Sequence, residues 1–227
     1  MNTIKVAVDG PAGAGKSSVS KKIASALGLL YIDTGAMYRA VALYVLNNGG
    51  NTKSSESVIS LLDNIEINMV KKTDTLFVYL NGADVTDKIR TPEVSVGASD
   101  VAVIPEVRLK LVDLQRKIAA QQNVIMDGRD IGTYVLPDAD VKIFLTADVK
   151  VRAERRKLEL MEKGQDVPFE EVLSDMMYRD KNDSERKFAP LKCADDAYMV
   201  DTSQKSFDEV VNEITSIVKK ETGYEVN

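Results

Sequence analysis

The sequence predicts an α/β protein, a parallel β-sheet core with helices on both faces, and three observations carry that reading. Short apolar runs alternate with segments of helical spacing, as strand–helix–strand units require. The first apolar run passes directly into the glycine-rich stretch DGPAGAGKSS at residues 9–18, which opens onto an Ala-rich, helix-compatible segment. The polar stretches at residues 9–18, 33–39 and 127–130 each follow a strand candidate, at the carboxyl ends where such sheets bind ligands.

In chain order, residues 4–8 read as a short buried strand. Lys16–Leu27 reads as a helix, with Val19, Ile23, Ala24 and Leu27 at helical spacing and Gly28 as its stop. Residues 29–32 form a second strand ending at Asp33-Thr34-Gly35, and a helix over about 36–46 follows. From 51 to about 91 the pattern changes. Residues 65–70 and 75–80 are β-like, separated by the polar 71–74 and followed by the turn signal Asn81-Gly82, which predicts a small antiparallel insert. Helical spacing returns over 106–118, with Pro105 in a tolerated first-turn position. Residues 123–127 and 141–145 are the next buried strands, joined by the loop 128–140. Charged helices are expected at about 149–163 and 169–185, a last short strand at 197–200, and a final helix. In that helix Phe207, Val210, Val211, Ile214, Ile217 and Val218 make an apolar stripe read as core packing.

The 227 residues suit one main domain with room for an inserted subdomain. Hydrophobic residues at 44% and charged residues at 29% describe an ordinary soluble chain. No apolar run approaches the roughly 18 to 20 residues of a spanning helix, and the N-terminus has no secretory pattern, so no membrane is expected and the expected compartment is the cytoplasm. A single cysteine, Cys193, excludes an intrachain disulfide and reads as a small, partly buried hydrophobe. With no histidine at all, serine–histidine and cysteine–histidine hydrolase schemes are excluded. A net charge of -5 argues against broad nucleic-acid binding.

Gly10-x-x-x-x-Gly15-Lys16-Ser17 fits the phosphate-loop (P-loop) pattern in its required strand–loop–helix context. Backbone N–H groups from Gly10, Pro11, Ala12, Gly13, Ala14, Gly15, Lys16, Ser17 and Ser18, proline excepted, can converge on phosphate oxygens. The helix N-terminus adds a favourable dipole, Lys16 a point charge and Ser17 a magnesium ligand. No N-K-x-D tetrapeptide for a guanine base occurs, and the strand at 124–127 ends in one acid, Asp127, rather than an acidic pair. Asp127 either approaches a metal or holds a structural hydrogen bond. Asp33-Thr-Gly-Ala-Met-Tyr-Arg39 places a hydroxyl, Thr34, and a guanidinium, Arg39, near a helix start, and Asp127-Gly-Arg-Asp130 adds Arg129. Taken singly each of these arginines reads as an ordinary surface ion pair; together on one rim Thr34, Arg39 and Arg129 read as a socket for a second phosphate, since arginine pairs bidentately with phosphate oxygens. Arg179, Asp183 and Arg186 fall at i, i+4 and i+7, on one face of the expected helix, either as a solvated salt-bridge face or as part of a site. Arg152, Arg155 and Arg156 precede the polar stretch 162–166, and a hairpin of this kind could close over a nucleoside triphosphate.

With DGPAGAGKSS, DTGAMYR, the segment ASDVAVIPEVR at 98–108, DGRDIGT and YRDKNDSER in this order, the sequence resembles bacterial cytidylate kinases, P-loop nucleoside monophosphate kinases, over essentially its whole length. The resemblance implies transfer of the ATP γ-phosphate to CMP or dCMP, with Mg2+. It implies one kinase domain with a core at about 1–62, 95–148 and 187–227, a β insert on the monophosphate side at about 63–94 and a helical lid at about 149–168. Residues 10–18 would hold ATP, with Arg152, Arg155 and Arg156 in the lid. Thr34, Arg39 and Arg129 would lie at the acceptor phosphate, Ser99, Arg108 and Asp130 around the cytosine, and Arg179 and Asp183 near the sugar. Arg186 matches another active-site arginine, and Lys16, Arg39, Arg129 and Arg156 are the expected catalytic charges. Thr34 stands where the family also uses serine, so the hydroxyl is kept.

Cytosine offers a ring N3 acceptor, a carbonyl acceptor and an amino donor, which arginine, serine and aspartate together complement. Uracil would leave the Asp130 carboxylate unsatisfied, at roughly 1 to 3 kcal/mol or about tenfold in discrimination. The alternatives are another P-loop small-molecule kinase of UMP/CMP or adenylate type, and a non-transferring nucleotide-binding regulator. A monomer is expected.

Overall fold

The structure is a computed structural model and describes residues 3–72, 75–162 and 164–224; Thr73 and Asp74 of the polar stretch between the two β-like runs, and Lys163 at the end of an expected helix, lie outside them. Along the chain run β1 (Lys5–Asp9), α1 (Lys16–Leu27), β2 (Leu30–Asp33), α2 (Thr34–Asn47), α3 (Ser55–Leu62), β3 (Ile67–Lys72), β4 (Thr75–Leu80) and β5 (Ala83–Asp84). Then come α4 (Pro92–Val101), α5 (Pro105–Ala119), β6 (Val124–Gly128), β7 (Val141–Thr146), α6 (Val149–Glu162), α7 (Phe169–Glu185), β8 (Tyr198–Asp201) and α8 (Phe207–Thr222). A single π-helical turn, Ile131–Val135, follows β6. The chain divides into two compact units, Met1–Tyr31 with Gln122–Asn227, and Ile32–Gln121.

The first unit carries the sheet, in the order β2-β6-β1-β7-β8. Its β1–β6, β1–β7 and β7–β8 pairings are parallel, with Val6 opposite both Ile125 and Val141. Because all five residues of β6 and the last four of β1 are buried, these strands read as continuous apolar runs rather than alternating ones. Val6, Val8, Ile125, Ile143 and Leu145 meet Val19, Ile23 and Leu27 of α1 and Val210, Ile214 and Val218 of α8 in one core. Gly28, at φ 63°, ends α1 by donating its backbone N–H to the Ala24 carbonyl. Ser206 and Glu209 form a reciprocal capping box at the start of α8. Phe207 departs from the expected stripe and is 47% exposed: it sits in the first turn, before the helix brings Val210 and Val211 onto the core. Helices α6 and α7 have their own small core, in which Ala153, Leu160, Val172 and Met176 pack against Ala12 of the glycine loop.

In the second unit β3, β4 and β5 form the expected antiparallel sheet, Ile67 pairing with Leu80 and Leu80 with Ala83. Asn81 and Gly82, both at positive φ, make the two-residue turn between β4 and β5. Two helices went unanticipated there. Ser54 caps α3 by accepting from the Ser57 N–H, and Thr91 caps α4 ahead of Pro92 in its first turn. Gly97 of α4 has no room for a side chain, since a Cβ there would lie 3.2 Å from the Ala42 Cβ of α2 and 3.0 Å from Thr52 Cγ2.

Candidate active site

At the end of β1 the chain needs two glycines for steric reasons. A Cβ on Gly10, at φ 146°, would collide with the Leu145 carbonyl oxygen of β7. One on Gly13, at φ 72°, would collide with the Met176 side chain and meet Arg152 Cβ at 3.3 Å. The loop thus lies tight against both the sheet and the α6–α7 pair. Gly15, the N-cap of α1, has no side chain to cap it, so the first N–H groups of α1 have no side-chain acceptor from the N-cap, the condition for anion binding at a helix start.

Lys16 opens α1 with its aliphatic stem buried, and its ammonium donates to the Pro11 carbonyl at 2.7 Å. Burial lowers its pKa to about 7, and neighbouring Arg129 pushes in the same direction against the attraction of Asp127 and Asp183. One residue on, Ser17 Oγ donates to Asp127 Oδ2 at 2.6 Å, and the Tyr31 hydroxyl reaches the same oxygen at 3.3 Å. Asp9, at the end of β1, accepts from the backbone N–H groups of Ile131 and Gly132 at 2.8 and 2.7 Å. Burial raises its pKa to about 6, since those two hydrogen bonds only partly offset the loss of water.

Two arginines of this unit, Arg129 and Arg186, are held by carboxylates. Arg129 Nε donates to Asp183 Oδ2 at 2.7 Å, and one Nη to the Gly128 carbonyl at 3.2 Å. Burial pulls the Arg129 pKa down, but Asp183, with Asp127 and Asp180, lifts it above the ordinary value. Arg186 Nη2 reaches Asp130 Oδ1 at 3.2 Å and its Nη1 lies 3.8 Å from Asp183 Oδ1. These side chains are largely withdrawn from solvent, so the solvated salt-bridge face is not what forms. Arg186 is also not on the helix: α7 ends at Glu185, and Arg186 is its extended C-cap. Arg179, by burial first and then by Arg156 and Arg129, has its pKa lowered.

Arg152 is buried, and all three of its guanidinium nitrogens donate, to the carbonyls of Ala147 and Ala12, each at 2.9 Å, and to Asp180 at 2.7 Å. It ties the glycine loop to α6 and α7. Arg155 donates to the hydroxyl and carbonyl of Thr202 at 2.9 and 2.7 Å, while Arg156 pairs with Glu159 at 3.0 Å. Ser18 is exposed on the first turn of α1.

In the second unit, Asp33 caps α2 through the Ala36 N–H at 2.9 Å and pairs with Arg39 at 2.7 Å. Thr34, in the first turn of α2, is buried. Arg108 is 1% exposed, donates to the Ala102 carbonyl at 3.2 Å and lies 5.6 Å from the centroid of the Tyr38 ring. Ser99 lies half-buried on α4. Sequence reasoning missed Tyr31, Asp9, Asp180 and Thr202 as partners of these groups. Asp9 is the only one with a local signal, a carboxylate at the carboxyl end of a central strand.

Among the described residues no group of three or more cysteine or acidic side chains forms a metal cage. Magnesium is commonly held by one or two carboxylates, water and substrate phosphates, and the hard oxygens of Ser17 and Asp127 fit that chemistry.

A phosphate loop with its lysine, beside carboxylate-held arginines at the end of the neighbouring strand, is equipped to move a phosphoryl group, and fold and site together define a P-loop kinase. The family model for cytidylate kinase matches residues 6–220, and the chain belongs to that family. A cytidylate kinase from Caldicellulosiruptor saccharolyticus is 50% identical over 226 residues, covering 100% of both chains, and one from Alkaliphilus metalliredigens is 49% identical over 220 residues, covering 96% of this chain and 98% of the relative. A crystal structure of an uncharacterised protein from Eubacterium ventriosum is 14% identical, covers 96% of this chain and 99% of that one, and has a TM-score of 0.52, a likeness of fold alone.

Proposed function

We propose that this chain, an ATP-using kinase of small nucleotides, transfers the γ-phosphoryl group of ATP to CMP or dCMP, giving ADP and CDP or dCDP. The observation that carries the reading is the network Arg129–Asp183–Arg186–Asp130 in a chain of this family. Carboxylates hold two guanidiniums in place, which suits a reaction that is mostly positioning and electrostatics. No histidine is needed for that.

In this reading the loop 10–18 holds the donor phosphates, and Ser17 with Asp127 would hold Mg2+, which when bound neutralises phosphate charge. Thr34, Arg39 and Arg129 orient the acceptor phosphate; Ser99, Arg108 and Asp130 serve the base; Arg179 and Asp183 serve the sugar. Arg186 and the lid arginines Arg152, Arg155 and Arg156 complete the positive field. The core, the insert at about 63–94 and the lid at about 149–168 are then working parts of one kinase domain, acting as a cytoplasmic monomer.

A coupled assay of the purified protein with ATP, magnesium and a panel of CMP, dCMP, UMP, AMP, GMP and shikimate tests this. CMP and dCMP should turn over best. Best turnover on AMP, or none on CMP, overturns the acceptor, and ATP hydrolysis without transfer to any monophosphate would revive the regulator.

A further inference from the structure

After α7 the chain bends over residues 187–189, and the bend includes a residue poorly suited to it. Ala189 has φ 46°, one of two non-glycine residues at positive φ among those described. A Cβ disfavours that conformation, and a following proline, Pro190, restricts its predecessor toward extended backbone. Two steric preferences are thus overridden at one position, and such strain persists only where the surroundings over-determine it.

Those surroundings are visible. The Ala189 carbonyl accepts from Arg186 Nε at 2.7 Å. Just beyond the turn, the Leu191 N–H donates to the Asp183 carbonyl at 2.7 Å. Phe188 packs edge-on against Tyr134, ring centroids 5.0 Å apart, and the Tyr134 N–H donates to the Asp130 carbonyl. The turn is therefore fastened on one side to the helix end that carries Asp183 and on the other to the π-helical turn that follows Asp130.

A guanidinium is planar, so fixing Nε fixes the plane and the directions of both Nη atoms. With Nε held by the Ala189 carbonyl, Arg186 directs Nη2 to Asp130 and Nη1 toward Asp183. We propose that Ala189 is a positioning residue for phosphoryl transfer: its left-handed backbone places the carbonyl that orients Arg186 toward Asp130 and Asp183, the two carboxylates read above as serving the acceptor's base and sugar. This rests on the acceptor-kinase reading above. The strain is retained because a relaxed Ala189 would turn that carbonyl away and leave Arg186 to rotate.

The test compares Ala189→Gly, Ala189→Val and Arg186→Ala, with the double variant Ala189→Val/Arg186→Ala, measuring kcat and the KM of CMP and of ATP separately, together with thermal unfolding. Wild-type turnover on CMP checks the underlying reading independently. Glycine accepts φ 46° without strain, so Ala189→Gly should keep kcat/KM for CMP within about twofold of wild type. A β-branched residue resists it, so Ala189→Val should lower kcat/KM for CMP roughly tenfold or more with the ATP KM nearly unchanged, and should add nothing on the Arg186→Ala background. Additive losses, equal losses for both substrates, or an Ala189→Val enzyme with unchanged CMP kinetics would overturn the proposal. If Ala189→Val does not melt cooperatively, Phe188→Leu, which loosens the same turn from Tyr134, replaces it in the cycle with the same expected and contrary outcomes.

Discussion

Ser17 Oγ donates to Asp127 Oδ2 at 2.6 Å, joining the first turn of α1 to the end of β6. The Asp127 carboxylate is thus engaged at the mouth of the phosphate loop, with the Tyr31 hydroxyl as a further donor. Asp127→Asn keeps the shape and removes the charge. It should lower kcat roughly 10- to 100-fold and raise the magnesium concentration needed for half-maximal rate, as losses of metal-supporting groups do. A magnesium titration of the variant checks this; an unchanged magnesium requirement would leave Asp127 a purely structural acceptor. Tyr31→Phe should have a smaller effect, because 3.3 Å is a long hydrogen bond.

Arg129 and Asp183 form the tightest ion pair of the network, at 2.7 Å. Asp183→Ala frees Arg129 to rotate and removes an opposing charge from Arg186. Kinetics with each substrate varied in turn should show kcat/KM for CMP lowered roughly 100-fold, the cost of misplacing a positioning group by about an ångström, with the KM for ATP within a few-fold of wild type. Equal loss for both substrates would move Asp183 away from the acceptor.

The Asp33–Arg39 pair in the second unit leaves no slack at Gly35, where a Cβ would lie 3.2 Å from both Arg39 Nη1 and Asp33 Oδ1. Arg39→Ala should therefore act chiefly through the KM for CMP, and Gly35→Ala, which keeps both charges but pushes the pair apart, should reproduce part of that change. Selective weakening of ATP by either substitution would reverse the assignment of the two phosphates.

Asp9 makes stability depend on pH with a sign opposite to ordinary acid denaturation. Its carboxyl titrates near 6 in the folded chain against 3.8 for the ordinary group, so the folded state holds the proton more tightly. The resulting stability is fully present below about 3.8 and is lost as pH rises through about 6. Chemical denaturation at pH 4 and pH 7 should show the stability of wild type relative to Asp9→Asn falling by up to roughly 3 kcal/mol across that window. A constant difference would mean the Ile131 and Gly132 hydrogen bonds keep the carboxylate ionised throughout.

Arg152 makes three side-chain hydrogen bonds, to two carbonyls and to Asp180. Truncating it strands a carboxylate and two buried acceptors, so Arg152→Ala should destabilise by about 3 kcal/mol and lower Tm by roughly 6 to 12 °C. Thermal unfolding with and without ATP checks this, and an unchanged Tm would show the loop to be held by packing at Gly10 and Gly13 alone.

Much of this molecule can be read from local pattern. The glycine loop, α1 with its Gly28 stop, the two central strands, the Asn81-Gly82 turn and α7 from Phe169 to Glu185 all have signals within a few residues of themselves: apolar runs, helical spacing, residues with special backbone freedom. Helices α3 and α4 were also signalled, by Ser54 and by Thr91 before Pro92, but stood beside β-like runs that dominated the window. Phe207 matched the spacing of the α8 stripe and still faces solvent, because periodicity defines a face but not where the first turn meets the sheet.

Sequence alone determined which groups exist: a lysine behind glycines, many arginines, abundant carboxylates, no histidine. It could not decide which carboxylate holds which arginine. Asp127 with Ser17, Asp183 with Arg129, Asp130 with Arg186 and Asp180 with Arg152 are separated by 110, 54, 56 and 28 residues, or by one arm of a strained turn at Ala189. Charges of one sign are interchangeable along a chain. Only the parallel register of β1 with β6, and the packing of α6 and α7 on the loop, bring particular ones within hydrogen-bond reach and exclude the water that would otherwise make the pairings weak.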